Sequence, residues 1–458
     1  MMPTLFMLPL SLCLSASLSA SDTLSLSGES GITAVEKKQS PATWTLQDCI
    51  DYARENNLQV KSSQLDRQSA DVELKTAKAS RWPSLSFGST QGFSNGSKWN
   101  EGNGNFVTDP QYTGTYNISA SVTLYNGGKV NNTIKQQKVL NQASRFLVEK
   151  AQNDIELAVT ASFLEVLYAL ESLYTDSAVL QNSLAQWEKA GIQYEEGAIR
   201  QSEYARIQAQ YESDNYNYVV SQNNLRNRTL ELKQLLELGP DERLEVAVPD
   251  TEALDLNRTL PAAADIYENA LQNMPEIKAS ELRVSASEYA QKVARAQMIP
   301  SLRLSASVGT GYYTSGPFTF LNQMHNNLNE NLSLGITIPI YQNRTAKSSV
   351  ETAKINTEQA LVDLQSQQKQ LLKEIEQAWQ DANSAQSRFL AASRQHEAAS
   401  LSYSLVTEEY QVGGKSLVDV LTEKSTYLSS VEEMLKAKYQ AVLSMRLLDF
   451  YMNRPAAF

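Results

Sequence analysis

The feature that most constrains this 458-residue chain is that it writes one plan twice. The stretch "YEEGAIRQSEYARIQAQY", Tyr194 to Tyr211, reappears as "YQVGGKSLVDVLTEKSTY", Tyr410 to Tyr427. Tyr194/Tyr410, Gly197/Gly413 and Tyr211/Tyr427 all stand 216 residues apart. Upstream, Ala53/Ala270, Asn56/Asn273, Lys61/Lys278, Leu65/Leu282, Lys75/Lys292, Pro83/Pro300 and Leu85/Leu302 coincide at an offset of 217, one indel away. A duplication this long means two pseudo-equivalent units, too few for a solenoid. The reading places the repeats at 42–238 and 263–453. Between them lies a Pro- and Gly-containing linker, 239–262, in which "LEVAV" reads as a short strand.

Within each repeat the hydrophobic period changes. From Leu361 to Tyr410 the apolar residues step alternately by three and four, a heptad seam with Gln368 and His396 in its two gaps. The first repeat has a looser version through Ile155, Val159, Val166, Leu173, Leu180, Trp187 and Tyr194. The other faces are polar. A helix with a narrow seam and two wet sides belongs in a thin wall. Helices over about 129–194 and 345–410 would each be ~100 Å long. Helices over about 58–81 and 201–238, stacked end to end, would match the first; 275–298 and 416–452 would match the second. The expectation is antiparallel columns roughly 100 Å tall.

Between the helices the period is two. Strands are expected at about 82–93, 115–125, 301–313 and 331–341. Leu302, Leu304, Ala306 and Val308 alternate with Arg303, Ser305, Ser307 and Gly309; Leu332, Leu334 and Ile336 alternate with Ser333, Gly335 and Thr337. Runs of about ten residues, apolar on one side and small-polar on the other, are the signature of a membrane β-barrel. Trp82, Tyr125 and Tyr341 fall at strand ends, where aromatic residues favour the membrane–water boundary. Each pair is joined by a polar stretch, 94–114 or 314–329, expected to be a long loop. Four strands cannot close, and lipid tolerates no open edge. Closure must come from further copies: a dimer would give a filled barrel, a trimer of 12 strands a passage.

Composition narrows the classes. Lys and Arg number 40 against 51 Asp and Glu, a net charge of -11, which argues against nucleic acid as a partner. The N-terminus, "MMPTLFMLPLSLCLSASLSASDT", reads as a secretory signal over 1–21, cleaved between Ser17 and Ser21. Cys13 lies in its apolar core; Leu12 is large for a lipoprotein site, so Cys13 is expected to leave with the signal. No later segment has about 18 consecutive apolar residues, which argues against a helical membrane span. The two histidines are His325, in a polar loop, and His396, in the seam. No metal-ligand spacing and no nucleophile–base motif appears, so neither metal, cofactor nor catalytic residue is expected and the chain does not read as an enzyme.

With the duplication, the strand–loop–strand inserts and the paired Tyr-x-x-Gly tips in view, the chain resembles the TolC-like outer-membrane efflux proteins over nearly its whole mature length. The resemblance implies a homotrimer in the cell outer membrane: a 12-helix α-barrel crossing the periplasm, continuous with a 12-stranded β-barrel to which each chain gives four strands. It implies partners in outer-membrane lipid, a periplasmic adaptor (membrane fusion protein), and an inner-membrane transporter of the resistance–nodulation–division type. It places Asp419 at the inner aperture, although Thr422 stands where the family has a second aspartate. It implies gate links from Tyr410 to Glu203 and from Lys415 to Ser202. Tip turns at Tyr194, Gly197, Gly413 and Gly414 would frame the adaptor-docking grooves. Two other readings are open: the exit duct of a type I protein secretion system, and a periplasmic coiled-coil scaffold or adaptor, which would share the heptads without needing the strands.

Overall fold

The computed structural model describes residues 43–454 except 101, 103, 250–255, 257 and 315–318. The expected signal segment, with Cys13, lies outside the described residues. The described chain runs as α1 (Leu46–Asn56), α2 (Leu58–Ala79), β1 (Ser84–Asn100), β2 (Asn105–Asn126), α3 (Lys129–Glu195) and α4 (Gln201–Leu235). The second repeat gives α5 (Ala263–Asn273), α6 (Pro275–Arg295), β3 (Ser301–Tyr313), α7 (Phe320–Asn326), β4 (Asn329–Thr337), α8 (Thr345–Gln411) and α9 (Leu417–Tyr451). Both long helices have 67 residues and both of their return helices 35. At 1.5 Å per residue that is about 100 Å and about 50 Å.

The duplication survives in backbone detail. α3 begins after Gly127 and Gly128, α8 after Asn343 and Arg344, and all four have positive φ. Glu237 and Asn453, again 216 apart, take φ of 56° at the ends of α4 and α9. The cores correspond too. Ala53, Val60, Val159 and Leu232 anchor one cluster, and their counterparts Ala270, Ile277, Ile375 and Leu448 anchor the other. Each such Leu, Ile or Val contributes about 1.5–3 kcal/mol on burial. The α8 seam is buried as its spacing predicts, at Leu371, Ile375, Ala378, Ala382, Ala385, Ala392 and Ala399. "LEVAV" forms only a single parallel bridge, Val246 to Trp44, rather than a strand.

One helix comes near the limit set by the expectation that no helix spans a membrane. α3 contains an 18-residue window with mean hydropathy 1.3, apolar enough to cross a bilayer by composition alone. Yet Val159, Phe163, Leu164, Val166 and Leu167 from its middle are at most 3% exposed, packed on Trp44, Ile50 and Leu232. These residues serve the core of the helical layer.

The four strands form one antiparallel sheet in the order β1-β2-β3-β4. Its register sorts the faces. Phe87 pairs Ile118, which pairs Val308; Leu304 lies between Val122 and Leu334. On the other face Ser119 lies between Ser86 and Ser307, and Ser305 between Ser121 and Ser333. The Ser86 and Ser119 hydroxyls bond each other at 2.9 Å. The apolar face is bare: Leu85 is 74% exposed, Leu332 75% and Ile336 67%. A soluble scaffold would not leave such a face to water.

The loop expectations fail in part. The first hairpin does not end near 93. Its strands run on until Asn100 pairs Asn105. Phe93 packs on Tyr112 and Trp99 on Phe106, with ring centroids 4.9 and 5.1 Å apart. Such aromatic cross-strand pairs hold a ribbon together despite its Gly and Asn content. Pro110, a strand breaker in a central position, is tolerated because β2 pairs β3 only from Thr113 onward. The second loop carries α7. Its Gln323 both donates to and accepts from the Tyr313 backbone, at 3.1 and 2.9 Å. His325 sits on this short helix, exposed. β4 stops at Thr337 rather than 341, just before Pro339, which has no N–H to give a ladder.

Candidate gate at the helix tips

The two tips close by the same backbone bonds. Ala198 N–H reaches Gln193 C=O at 2.7 Å, and Gly414 N–H reaches Glu409 C=O at 2.8 Å. Inside these, Gly197 bonds Tyr194 and Gly413 bonds Tyr410, both at 3.0 Å. This is the Schellman closure, and it demands a left-handed residue just past the helix. Gly197 and Gly413 supply it, with φ of 74° and 80°. A Cβ on either would meet nothing within 4 Å, so the constraint is torsional rather than steric. Behind the turns each coil carries an equivalent stack: Trp187 on Tyr211 at 4.9 Å, and Tyr403 on Tyr427 at 5.5 Å. The first tip adds a second, Tyr194 on Tyr204.

The structure sets one expected pair near each other and not the other. Glu203, on α4, lies close enough to Tyr410, at the end of α8, for its carboxylate to act on the phenol. Burial first, then the Glu203 charge and bond, raise the Tyr410 pKa above the usual phenolic value. Lys415 and Ser202 are both exposed, and no hydrogen bond joins them in the single chain. Lys415 instead lies near enough to Asp419 to favour its charged form.

Asp419 is exposed, but it is not idle. It is the third residue of α9, and its Oδ2 accepts from the Ser416 hydroxyl at 2.7 Å and the Ser416 N–H at 3.0 Å. Asp419 N–H returns a bond to Ser416 Oγ at 3.3 Å. These bonds hold the Asp419 carboxyl below the ordinary aspartate range. One oxygen is thus tied to the helix start, and Oδ1 remains for the solvent side. The signal was present in sequence as Ser-x-x-Asp ahead of an apolar run. Thr422, where a second acid would stand, bonds its own helix at Val418 C=O.

Above the tips lies a feature that sequence reasoning missed. Lys424 of α9 donates to Asp214 of α4 at 2.7 Å, with side chains only 7% and 2% exposed. Gln210 donates to the other Asp214 oxygen at 2.9 Å. The pair borders a polar cavity of about 500 Å³. It ties the first repeat to the second across 210 positions, so no local pattern announces it.

His396 stands in the seam with Nδ1 3.5 Å from Ser430 Oγ and its ring against Tyr427. Cys49 is buried, and burial, helped by Asp48, pushes its thiol up to about 12. No cluster of three or more metal-ligating side chains occurs among the described residues.

Comparison with known proteins agrees with this architecture. The family model described as outer membrane efflux protein matches residues 49–237 and 266–454. The chain therefore belongs to the outer membrane efflux protein family. It is 23% identical to outer membrane protein TolC of Escherichia coli K12 over 429 residues, covering 92% of this chain and 83% of that one. It is 22% identical to the toxin and drug export protein A of Aggregatibacter actinomycetemcomitans over 344 residues, covering 72% and 70%. Among solved structures, the CusC channel superposes with a TM-score of 0.76 at 20% identity, covering 90% and 92%. The protein is an outer-membrane export channel of the TolC-like type, its long helices extending into the periplasm.

Proposed function

We propose that three copies of this chain form the exit duct of a tripartite pump that expels small molecules, gated at the periplasmic tips. The observation that carries the reading is the sheet, with two unpaired edges and an apolar face turned outward. Lipid requires both edges to be paired, and three copies supply the 12 strands of a barrel with an open passage. The repeats support the same closure. In the second repeat α6 lies between α3 and α8. There Lys278 lies over Phe146 at 5.7 Å, and Lys135 near Tyr289 at 6.0 Å. The counterpart of α6 is α2, which packs on α3 and exposes Leu58, Leu65 and Val72 at seven-residue spacing. α8 likewise exposes Ile355 and Val362. Carrying the offsets over, Lys61 and Val72 of one copy would meet Val362 and Glu351 of the next.

In this trimer the Tyr410–Glu203 bond restrains the tips. Lys415 reaches Ser202 of a neighbouring copy, and three Asp419 carboxylates line the aperture. A periplasmic adaptor docks in the grooves near Gly197 and Gly413. Opening requires a partner with higher affinity for the parted tips. A proton-driven transporter of the resistance–nodulation–division type is the expected inner-membrane partner. The type I secretion reading stays beside it because one relative's name joins toxin with drug export. Extraction from outer membranes should yield a heat-sensitive trimer that conducts in planar bilayers; a lipid-free monomer sinks the proposal. Cross-linking in cells then separates the readings: a proton-driven pump in the complex supports efflux, an ATP-driven transporter supports secretion.

A further inference from the structure

We propose that Arg303 forms an anion-attracting ring at the inner mouth of the β-barrel. The inference rests on the trimeric reading above. On the small-residue face of the sheet, Arg303 is the one charged side chain among the described residues of strand stretches 84–92, 113–123, 301–313 and 329–337. Its neighbours across the ladder are Thr123 and Gly335. It is exposed and forms no ion pair or hydrogen bond among the described residues.

The chemistry fixes which way it points. Arginine on the lipid face costs about 2–4 kcal/mol near the midplane, and the opposite face of this sheet is already the Leu/Ile face. Arg303 therefore projects into the lumen. It is the third residue of β3, close to the handover from α6, which puts it at the periplasmic mouth of the barrel. The β2 ladder slips immediately beside it, between Thr123 and Tyr125, and such bulges re-aim side chains at barrel rims. Opposite it, Gly335 has no side chain to obstruct the guanidinium.

Scale decides whether one residue matters. Twelve strands about 4.8 Å apart, tilted about 40°, close at a backbone diameter of about 24 Å. An extended arginine reaches about 6 Å inward, which leaves each guanidinium about 6 Å from the axis. That is shorter than the screening length of about 8 Å at 0.15 M salt. Three fields therefore overlap on the axis, and a monovalent anion is enriched there on the order of fivefold. At 1 M salt, where the screening length is about 3 Å, the enrichment falls below about twofold. The ligand class is small anions and anionic groups on cargo, met after the cargo has left the acidic aperture.

The test is ion selectivity of the purified trimer in planar bilayers under a KCl gradient. Arg303→Ser should shift the reversal potential toward potassium, with the chloride-to-potassium permeability ratio falling by up to about fivefold at low salt. The shift should nearly vanish at 1 M, and Arg303→Lys should keep the wild-type potential. A conducting Arg303→Ser trimer with an unchanged reversal potential at low salt overturns the ring. Failure to form a conducting trimer at all would instead remove the reading on which it rests.

Discussion

The two tips share a backbone and differ in what they do with one carboxylate. Ser416 and Arg200 are equivalent N-cap positions, and Asp419 and Glu203 are the equivalent third residues of α9 and α4. In the second repeat serine engages the acid, and the pair closes a capping box on its own helix. In the first repeat arginine offers no side-chain cap, so Glu203 is not tied to its own helix start and lies near Tyr410 on the other coil. One position thus serves the helix in one copy and the contact between coils in the other. On the proposed gate, the first tip can serve as a latch because no cap at its helix start holds the acid.

The largest effect should come from the buried pair that joins the coils behind both tips. Lys424→Met leaves Asp214 buried and uncompensated, and should cost about 3–5 kcal/mol. Combining it with Asp214→Leu should restore most of that loss. Denaturant titration of the detergent-solubilised trimer reads both; equal damage in single and double variants would mean that the pair is not what holds the coils.

Next come the glycines. Gly197→Ala and Gly413→Ala should each cost about 1–2 kcal/mol, since both force alanine into the left-handed region with no clash to add. Unequal costs, measured by hydrogen exchange at the two turns, would break the equivalence of the tips.

Smaller, but sharper, is the cap exchange. Ser416→Ala should weaken the start of α9 by about 1 kcal/mol. Arg200→Ser should install a box with Glu203, firm up α4, and raise resting conductance by drawing Glu203 away from Tyr410. An unchanged conductance would argue that Glu203 restrains nothing.

The smallest effects are titrations. The Asp419 carboxyl is depressed, so the box's contribution is present above the unfolded aspartate value of about 4 and is lost as pH falls through the lower folded value. Tyr410 is raised, so its bond is present below about 10 and is lost as pH rises through the higher folded value. Conductance of the resting channel should therefore stay flat across neutral pH; a step between pH 6 and 8 would implicate another group.

Much of this is legible in the sequence itself. The heptad seam set both long helices to within a residue or two, because a 3.6-residue period sustained over many turns has no competing interpretation. The strand faces were readable for the same reason at period two. The first hairpin was not: its Gly, Asn and Ser residues spell loop by composition, and the aromatic pairs that hold it as a ribbon act across strands rather than along them. The core helices α1 and α5 were missed because their helical periodicity spans only 11 residues each. Asp214 and Lys424 were invisible because each looks like any solvated charge until the fold brings them together. Tyr410 and Glu203 were reached through family resemblance, and only the structure supplied the reason Glu203 is free.

The serine ladder has a further consequence. A duct serves its purpose only if passengers do not linger. Hydroxyls that face each other across neighbouring strands, as Ser86 and Ser119 do, spend one of their two O–H donors on each other and leave fewer to grip whatever passes. In the proposed trimer, that lining favours sliding along a wetted, non-stick wall over hopping between binding sites.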